Sequence, residues 1–156
     1  MNDEESVEKI DEIDLKILKM LQEDSRISFH NLAKKIGISV GTAYNRIKNL
    51  ERKGIIKTYT AVVDPYKLGL TLTAIILVQA EGAHLTEVEE EIAKNENVIC
   101  VYDITGDFDI AVIARFKDRN RLNSFVKNLI SIPHVKRTVT NVVLNVVKEN
   151  FKVSLT

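Results

Sequence analysis

The residues best suited to chemistry lie between Ser39 and Arg52, where Gly41, Thr42, Asn45, Arg46, Lys48, Asn49 and Arg52 recur on one side of a helical repeat. This face is small at its start, carries amides in its middle and turns basic toward its end. Amides read adenine through paired hydrogen bonds, whereas guanidinium and ammonium groups neutralise phosphate whatever the sequence. The chemistry on offer is recognition of duplex DNA, with Ser39, Gly41, Thr42, Asn45, Arg46, Lys48, Asn49 and Arg52 as the expected contacts. Gly41, Thr42, Asn45 and Asn49 are expected nearest the base edges, and Arg46, Lys48 and Arg52 at phosphate. Arg46 has a second reading, as a brace to a carboxylate of its own domain.

Two short helices joined by a turn must present that face. Ser28 can cap the first, whose Phe29, Leu32, Ala33 and Ile36 fall on one side; Gly37 can close it in the left-handed conformation. Ser39 can cap the second, expected to turn Val40, Ala43, Ile47 and Leu50 inward. Ala33 and Ala43 are small where the helices cross, and Gly37 stands at the turn, which is the spacing of a helix-turn-helix. From Ser25 to Thr60 the basic residues are Arg26, Lys34, Lys35, Arg46, Lys48, Arg52, Lys53 and Lys57, against Glu51 alone. A polyanionic partner explains that asymmetry better than solubility does. The patch is hidden in a net charge of zero because the first 24 residues hold nine acids against Lys9, Lys16 and Lys19. A further helix opening at Asp11, with Ile13, Ile17, Leu18 and Leu21, is the natural lid.

After Gly54 a strand-like stretch reaches Asp64-Pro65 and reads as an arm or hinge. Periodicity then predicts a strand at 70–80, a helix at 85–94, strands at 98–104 and 109–116, a helix at 119–131 and a strand at 135–147. The predicted fold class is α+β: a three-helix, winged-helix-like helix-turn-helix domain over 1–62, a hinge over 63–70, and a ferredoxin-like βαββαβ domain over 71–156. The runs AIILVQA, DIAVIARF and VVLNVV are apolar on both faces, so the sheet needs a second layer, and a second copy of the chain is the simplest source. A homodimer is expected.

Other chemistry is not indicated. Cys100 is the single cysteine, which excludes an internal disulfide and a cysteine-rich zinc site, and its apolar context predicts a buried thiol. His30, His84 and His134 stand at no metal-like spacing, and Glu89, Glu90 and Glu91 read as a solvated helix face. No catalytic residue, metal set or cofactor is predicted. Without a leader or a spanning apolar run, the expected location is cytoplasmic.

The stretches DEIDLKILKMLQEDSRIS, LAKKIGIS, YNRIKNLERKGIIKTYTAVVD, Leu68-Gly69, TGDFDIAV from Thr105 and RTVTNVV from Arg137 together resemble the Lrp/AsnC family of transcription regulators over nearly the whole chain. The resemblance implies a regulator that binds a pseudo-palindromic operator, dimerises through its sheets and assembles further to tetramers or octamers. It also implies a small effector, commonly an amino acid, held between dimers near Gly106, Asp107, Asp109, Thr138 and Thr140. Physically, an aspartate can accept an α-ammonium and a threonine hydroxyl can bond a carboxylate, although a Gly-Asp turn can equally serve only as a connector. The alternative carried by the same fold is a sirohaem-decarboxylase-like enzyme.

Overall fold

Helix α1, Glu12–Glu23, starts where Asp11 accepts the backbone N–H groups of Ile13 and Asp14 at 2.9 Å, and Asp14 closes a capping box back onto Asp11. Such caps contribute about 0.5–2 kcal/mol each. Helix α2, Phe29–Ile36, is capped by Ser28 through the Asn31 N–H at 3.2 Å. It ends at Gly37, whose φ of 82° lets the Gly37 and Ile38 N–H groups both donate to the Ala33 carbonyl, at 2.9 and 3.1 Å. Helix α3, Val40–Arg52, begins with Ser39 accepting from the Thr42 N–H at 3.0 Å. Ile17, Leu18, Leu32, Ala33, Ala43, Ile47 and Leu50 form the core of these three helices.

Two residues expected inward are exposed instead. Val40 sits at the first position of α3, outside the buried arc that begins at Ala43, and Phe29 lies on the outer side against Tyr44, with ring centroids 5.4 Å apart. The segment after α3 forms no strand among the described residues, so no paired wing accompanies the helices. Ile55 and Ile56 pack on the helical core, and the Tyr59 hydroxyl donates to Glu51 at 3.0 Å.

This computed structural model describes residues 9–155, and the chain divides into two units. One runs to Val62 and takes in the segment from Asn150; the other is Val63–Glu149. The C-terminal segment groups with the helices for a visible reason. Gln22 holds the Val153 backbone on both sides, accepting at 2.8 Å and donating at 3.1 Å, Lys152 pairs with Glu23 at 3.0 Å, and Leu155 packs on the helical core.

The second unit is a four-stranded antiparallel sheet in the order β2-β3-β1-β4, built from β1 (Leu72–Ala80), β2 (Val98–Asp103), β3 (Ile110–Phe116) and β4 (Val135–Val142). Helices α4 (Leu85–Ala93) and α5 (Arg119–Ser131) cover one face. Strand β4 stops at Val142, five residues before the expected end, because β1, its only neighbour among the described residues, begins at Leu72. On the covered face Ala74, Ile76 and Val78 of β1 meet Val112 and Ile110 of β3 and Val88, Ile92, Phe125 and Leu129 of the helices. The open face carries Ile75 and Leu77, in register with Ile113 and Ala111 and with Asn141 and Val139. Ile75 and Val139 are exposed there, and Cys100, in register with Ile113, is half-buried rather than buried because the helices of this unit lie on the other face. Glu89 also departs from expectation: it is half-buried, and burial, then Asp103, pushes its carboxyl up.

Candidate nucleic-acid interface

Helix α3 displays its expected face. Gly41, Thr42, Asn45, Lys48 and Arg52 are exposed and Arg46 and Asn49 half-buried, while Ala43, Ile47 and Leu50 hold the opposite side in the core. A Cβ at Gly41 would meet nothing closer than Ser39 Oγ at 3.9 Å. Packing therefore does not demand glycine at that position, and its effect is to keep the start of the helix thin where a groove wall would approach. Ser39 is occupied as the cap and lies 2.8 Å from the Thr42 hydroxyl. The Asn45 amide makes no hydrogen bond among the described residues. Thr42, Asn45 and Asn49 rim a shallow concavity of ≈ 370 Å³ whose other walls are Asp14 and Arg46.

The cations differ in how they are held. Arg46 reaches out of α3 to the Asp11 carboxylate at 2.6 Å and the Asp14 carboxylate at 2.9 Å. Of its two expected roles the structure displays the brace, and the guanidinium is engaged on α1 rather than directed outward. The backbone N–H of Asp14, then Arg46, holds the Asp11 carboxyl below the usual range, and the two aspartates raise Arg46. Lys48 pairs with Glu51 at 2.7 Å and stands over the Tyr44 ring at 5.9 Å, and Arg52 donates to the side-chain amide oxygen of Asn49 at 2.7 Å. Glu51, the lone acid of the basic stretch, is lowered chiefly by Lys48; burial and Glu51 push the Tyr59 hydroxyl up to about 12. Tyr44 is an exposed aromatic on this surface that the sequence reading passed over, although its place four residues before Lys48 puts it beside that side chain on a helix. Asp11 was expected only to open its helix.

The expected effector residues do not gather into one pocket of a single chain. Gly106 has a φ of 122°, reserved in practice for glycine, with nothing within 4 Å of a Cβ there. Asp109 is a latch: its carboxylate accepts from the Ala80 N–H at 2.9 Å, and its own N–H donates to the Val78 carbonyl at 3.0 Å. Asp107 is exposed at the tip of the turn. Thr138 and Thr140 pair with Val78 and Ile76 and so lie on the covered side of β4, the edge strand. Arg137, on the other side, places its guanidinium 4.7 Å above the Phe108 ring, a contact between turn and strand that the sequence reading lacked.

The histidines correct another expectation. His84, in a short 3-10 turn at Gly82–His84, stacks on His134 with ring centroids 3.7 Å apart, and Glu81 approaches His134 Nδ1 at 3.1 Å. Residues far apart in sequence are thus neighbours, because β1 and β4 pair and bring their adjoining connections together.

Known proteins share this architecture. The Lrp/AsnC ligand binding domain profile matches residues 73–153, and a winged helix-turn-helix DNA-binding profile matches residues 10–57. An uncharacterized HTH-type transcriptional regulator of Pyrococcus furiosus is 49% identical over 144 residues, 92% of this chain and 97% of that protein. The HTH-type transcriptional regulator FL11 of Pyrococcus horikoshii is 39% identical over 140 residues, 90% and 93% of the two chains. Among solved structures, a transcriptional regulator of Neisseria meningitidis in complex with L-Met superposes with a TM-score of 0.86 at 30% identity, covering 94% of this chain and 97% of that one. Bacillus subtilis LrpC gives 0.80 at 31%, covering 90% and 99%.

The Arg46 brace has a pH signature. Because the folded-state pKa of Asp11 is lowered, the stability it contributes is present above about pH 3.8 and lost as pH falls through the folded value. Arg46→Gln is expected to lower the urea midpoint of the helical unit near neutral pH, with the difference from wild type shrinking below that point; urea melts by circular dichroism from about pH 2 to pH 7 measure it.

Proposed function

Since the chain belongs to the Lrp/AsnC family and is a DNA-binding transcriptional regulator of that type, we propose that α3 enters the major groove with Thr42, Asn45 and Asn49 facing bases. Asn45 carries this reading: it is exposed at the centre of the face, free of internal bonds, beside a glycine that thins the helix. Lys48, Arg52 and Tyr44 flank it toward the phosphates. Arg46 is assigned to bracing. By pairing with Asp14, on the rim of the concavity, and with Asp11, it also keeps two carboxylates from repelling the DNA backbone. The protein acts in the cytoplasm by binding rather than by catalysis; none of its described helices is long and apolar enough to cross a membrane.

We further propose that two chains pair through their open sheet faces. Ile75, Leu77, Ile113 and Val139 make an apolar strip there, on the face opposite the helices of this unit. Burying such a strip contributes about 25 cal/mol per Å² of apolar surface. The turn from Gly106 to Asp109 and the edge strand β4 then supply part of an amino-acid site that a second dimer completes, in line with the L-Met complex of the neisserial relative. Asp107, exposed at the turn, is the carboxylate available to an ammonium, since Asp109 is engaged on Ala80.

Asn45→Ala is expected to reduce discrimination between operator and random DNA by about 1–3 kcal/mol. Lys48→Ala should weaken both alike and lower the salt slope by about one. Fluorescence anisotropy across a salt series separates the two, and equal loss on both DNAs for Asn45→Ala would remove it from the bases. Ile75→Asp should yield a folded monomer by light scattering, whereas Ile76→Asp, on the covered face, should cost about 3–5 kcal/mol of stability through an unpaired buried charge. A screen of the twenty amino acids by thermal shift should find one that stabilises the protein by roughly 2.7 kcal/mol at a hundredfold excess over its Kd. Asp107→Ala or Thr140→Ala should abolish the shift; a shift surviving both changes would place the ligand elsewhere.

A further inference from the structure

Glu81, His84 and His134 each offer a ligand atom, and these atoms all lie within 4.8 Å of one another. They come from two connections, the one between β1 and α4 and the one between α5 and β4. The backbone fixes both. The Glu81 N–H donates to the His134 carbonyl at 3.0 Å, and the His84 N–H donates to the Glu81 carbonyl at 2.9 Å. Beside them, the carboxylate of Glu81 reaches His134 Nδ1 at 3.1 Å and that of Glu87 reaches His84 Nδ1 at 3.3 Å.

The backbone of His134 is the second observation. Ile132, Pro133, His134 and Val135 form a turn closed by the Val135 N–H on the Ile132 carbonyl at 3.2 Å, and His134 takes a φ of 71°. That third position after a proline is ordinarily glycine's or asparagine's. His134 is the one non-glycine residue with positive φ among the described residues, and the conformation aims its ring at the partner ring 3.7 Å away, with planes 9° apart. A side chain kept where glycine would suit the turn, and directed at a histidine and a carboxylate, fits a role for the side chain itself.

We propose that Glu81, His84 and His134 bind a divalent transition-metal ion of the zinc, cobalt or nickel class, through one Glu81 oxygen and one nitrogen of each ring. Imidazole with carboxylate is a donor set suited to those ions, and two nitrogens at about 2.0–2.1 Å from a tetrahedral metal stand roughly 3.3 Å apart, against ligand atoms that here lie within 4.8 Å of one another. In the present stack the ring planes are 9° apart, so the in-plane lone pairs run nearly parallel, and the rings must turn out of the stack for both to meet one ion. Glu87 is placed to hold the His84 Nδ1 proton, which orients the ring and raises the basicity of its other nitrogen. The Glu81 carboxylate supplies negative charge, with Lys136 the nearby cation that a metal must compete against. An ion here would clamp the two connections together at the end of β1, one residue from Ala80, which holds Asp109 of the turn.

The test is titration of the tag-free full chain with Co²⁺, read by visible d–d absorption and by calorimetry, with Zn²⁺ as competitor. One ion per chain is expected. Affinity should fall at least tenfold in His84→Ala and in His134→Gly, and Zn²⁺ should bleach the cobalt bands. His134→Gly suits the turn, so its loss of binding cannot be ascribed to unfolding, and operator binding by both variants reports on the regulator reading separately. Absence of cobalt bands and heat in the wild type, or binding unchanged in both variants, would overturn the site and leave a histidine stack with a surface ion pair.

Discussion

The close crossing of α2 and α3 at Gly37 is the constraint on which the recognition surface depends. Ala33 of α2 and Ala43 of α3 are both buried in the core these helices share, and a side chain larger than methyl at either position would have to displace its neighbours there. The Ala33 carbonyl accepts two N–H groups from the turn, so the same residue that permits the approach also anchors the chain reversal. A left-handed residue at Gly37 is what allows both bonds, and at φ of 82° a side chain there would be strained even though the space beside it is open. Once this corner is set, the rotation of α3 about its axis follows from Ile47 and Leu50 entering the core, and that rotation turns Asn45 and Asn49 outward.

Charge is arranged around that geometry rather than spread evenly. The acids at the start of α1 do two things at once: Asp11 and Asp14 cap their own helix and receive Arg46 from α3, 35 and 32 residues on respectively. A helix N-terminus favours carboxylates there in any case, so the brace uses groups already stabilised in place. Glu51 plays the corresponding part at the far end of α3, accepting from both Lys48 and Tyr59 and tying the outgoing chain to the helix. The single acid in a basic stretch is therefore a structural residue, and the outward potential of α3 comes from Lys48 and Arg52 over an amide centre.

How much of this was legible in the sequence varied with the range of the interaction. Caps, the glycine stop and the order of strands and helices depend on residues a few positions apart, so Ser28, Gly37, Ser39 and the βαββαβ order could be read directly, with helix α5 placed to the residue. Which face of a strand is covered was not legible for β1, because both of its faces are apolar; only the register with β3 and β4 shows that Ile76 meets the helices and Ile75 does not. Contacts across the fold left no local trace either. Arg46 with Asp11, Phe108 with Arg137, and His84 with His134 are separated by too many residues for spacing to suggest them. Tyr44 was within reach of helical periodicity, but attention to polar side chains passed over it.

The position of β4 constrains any ligand reading of the second unit. It is an edge strand, so its outer backbone groups have no partner strand in the sheet, and Thr138 and Thr140 face one side while Arg137 faces the other. The Gly106 turn sits beyond β1, tied to it through Asp109, with the Arg137–Phe108 contact reaching across. A small zwitterion bound to such a rim has a wall on one side only, and an ammonium and a carboxylate half open to water are weakly held. A second set of chains that closes the rim removes that weakness, and the ligand then favours the closed assembly by its difference in affinity between the two states. On the proposed reading, control of DNA binding requires no path of contacts from turn to α3. It requires only that assembly set how many recognition helices one operator meets, since linked sites raise the effective concentration of each for its half of the DNA.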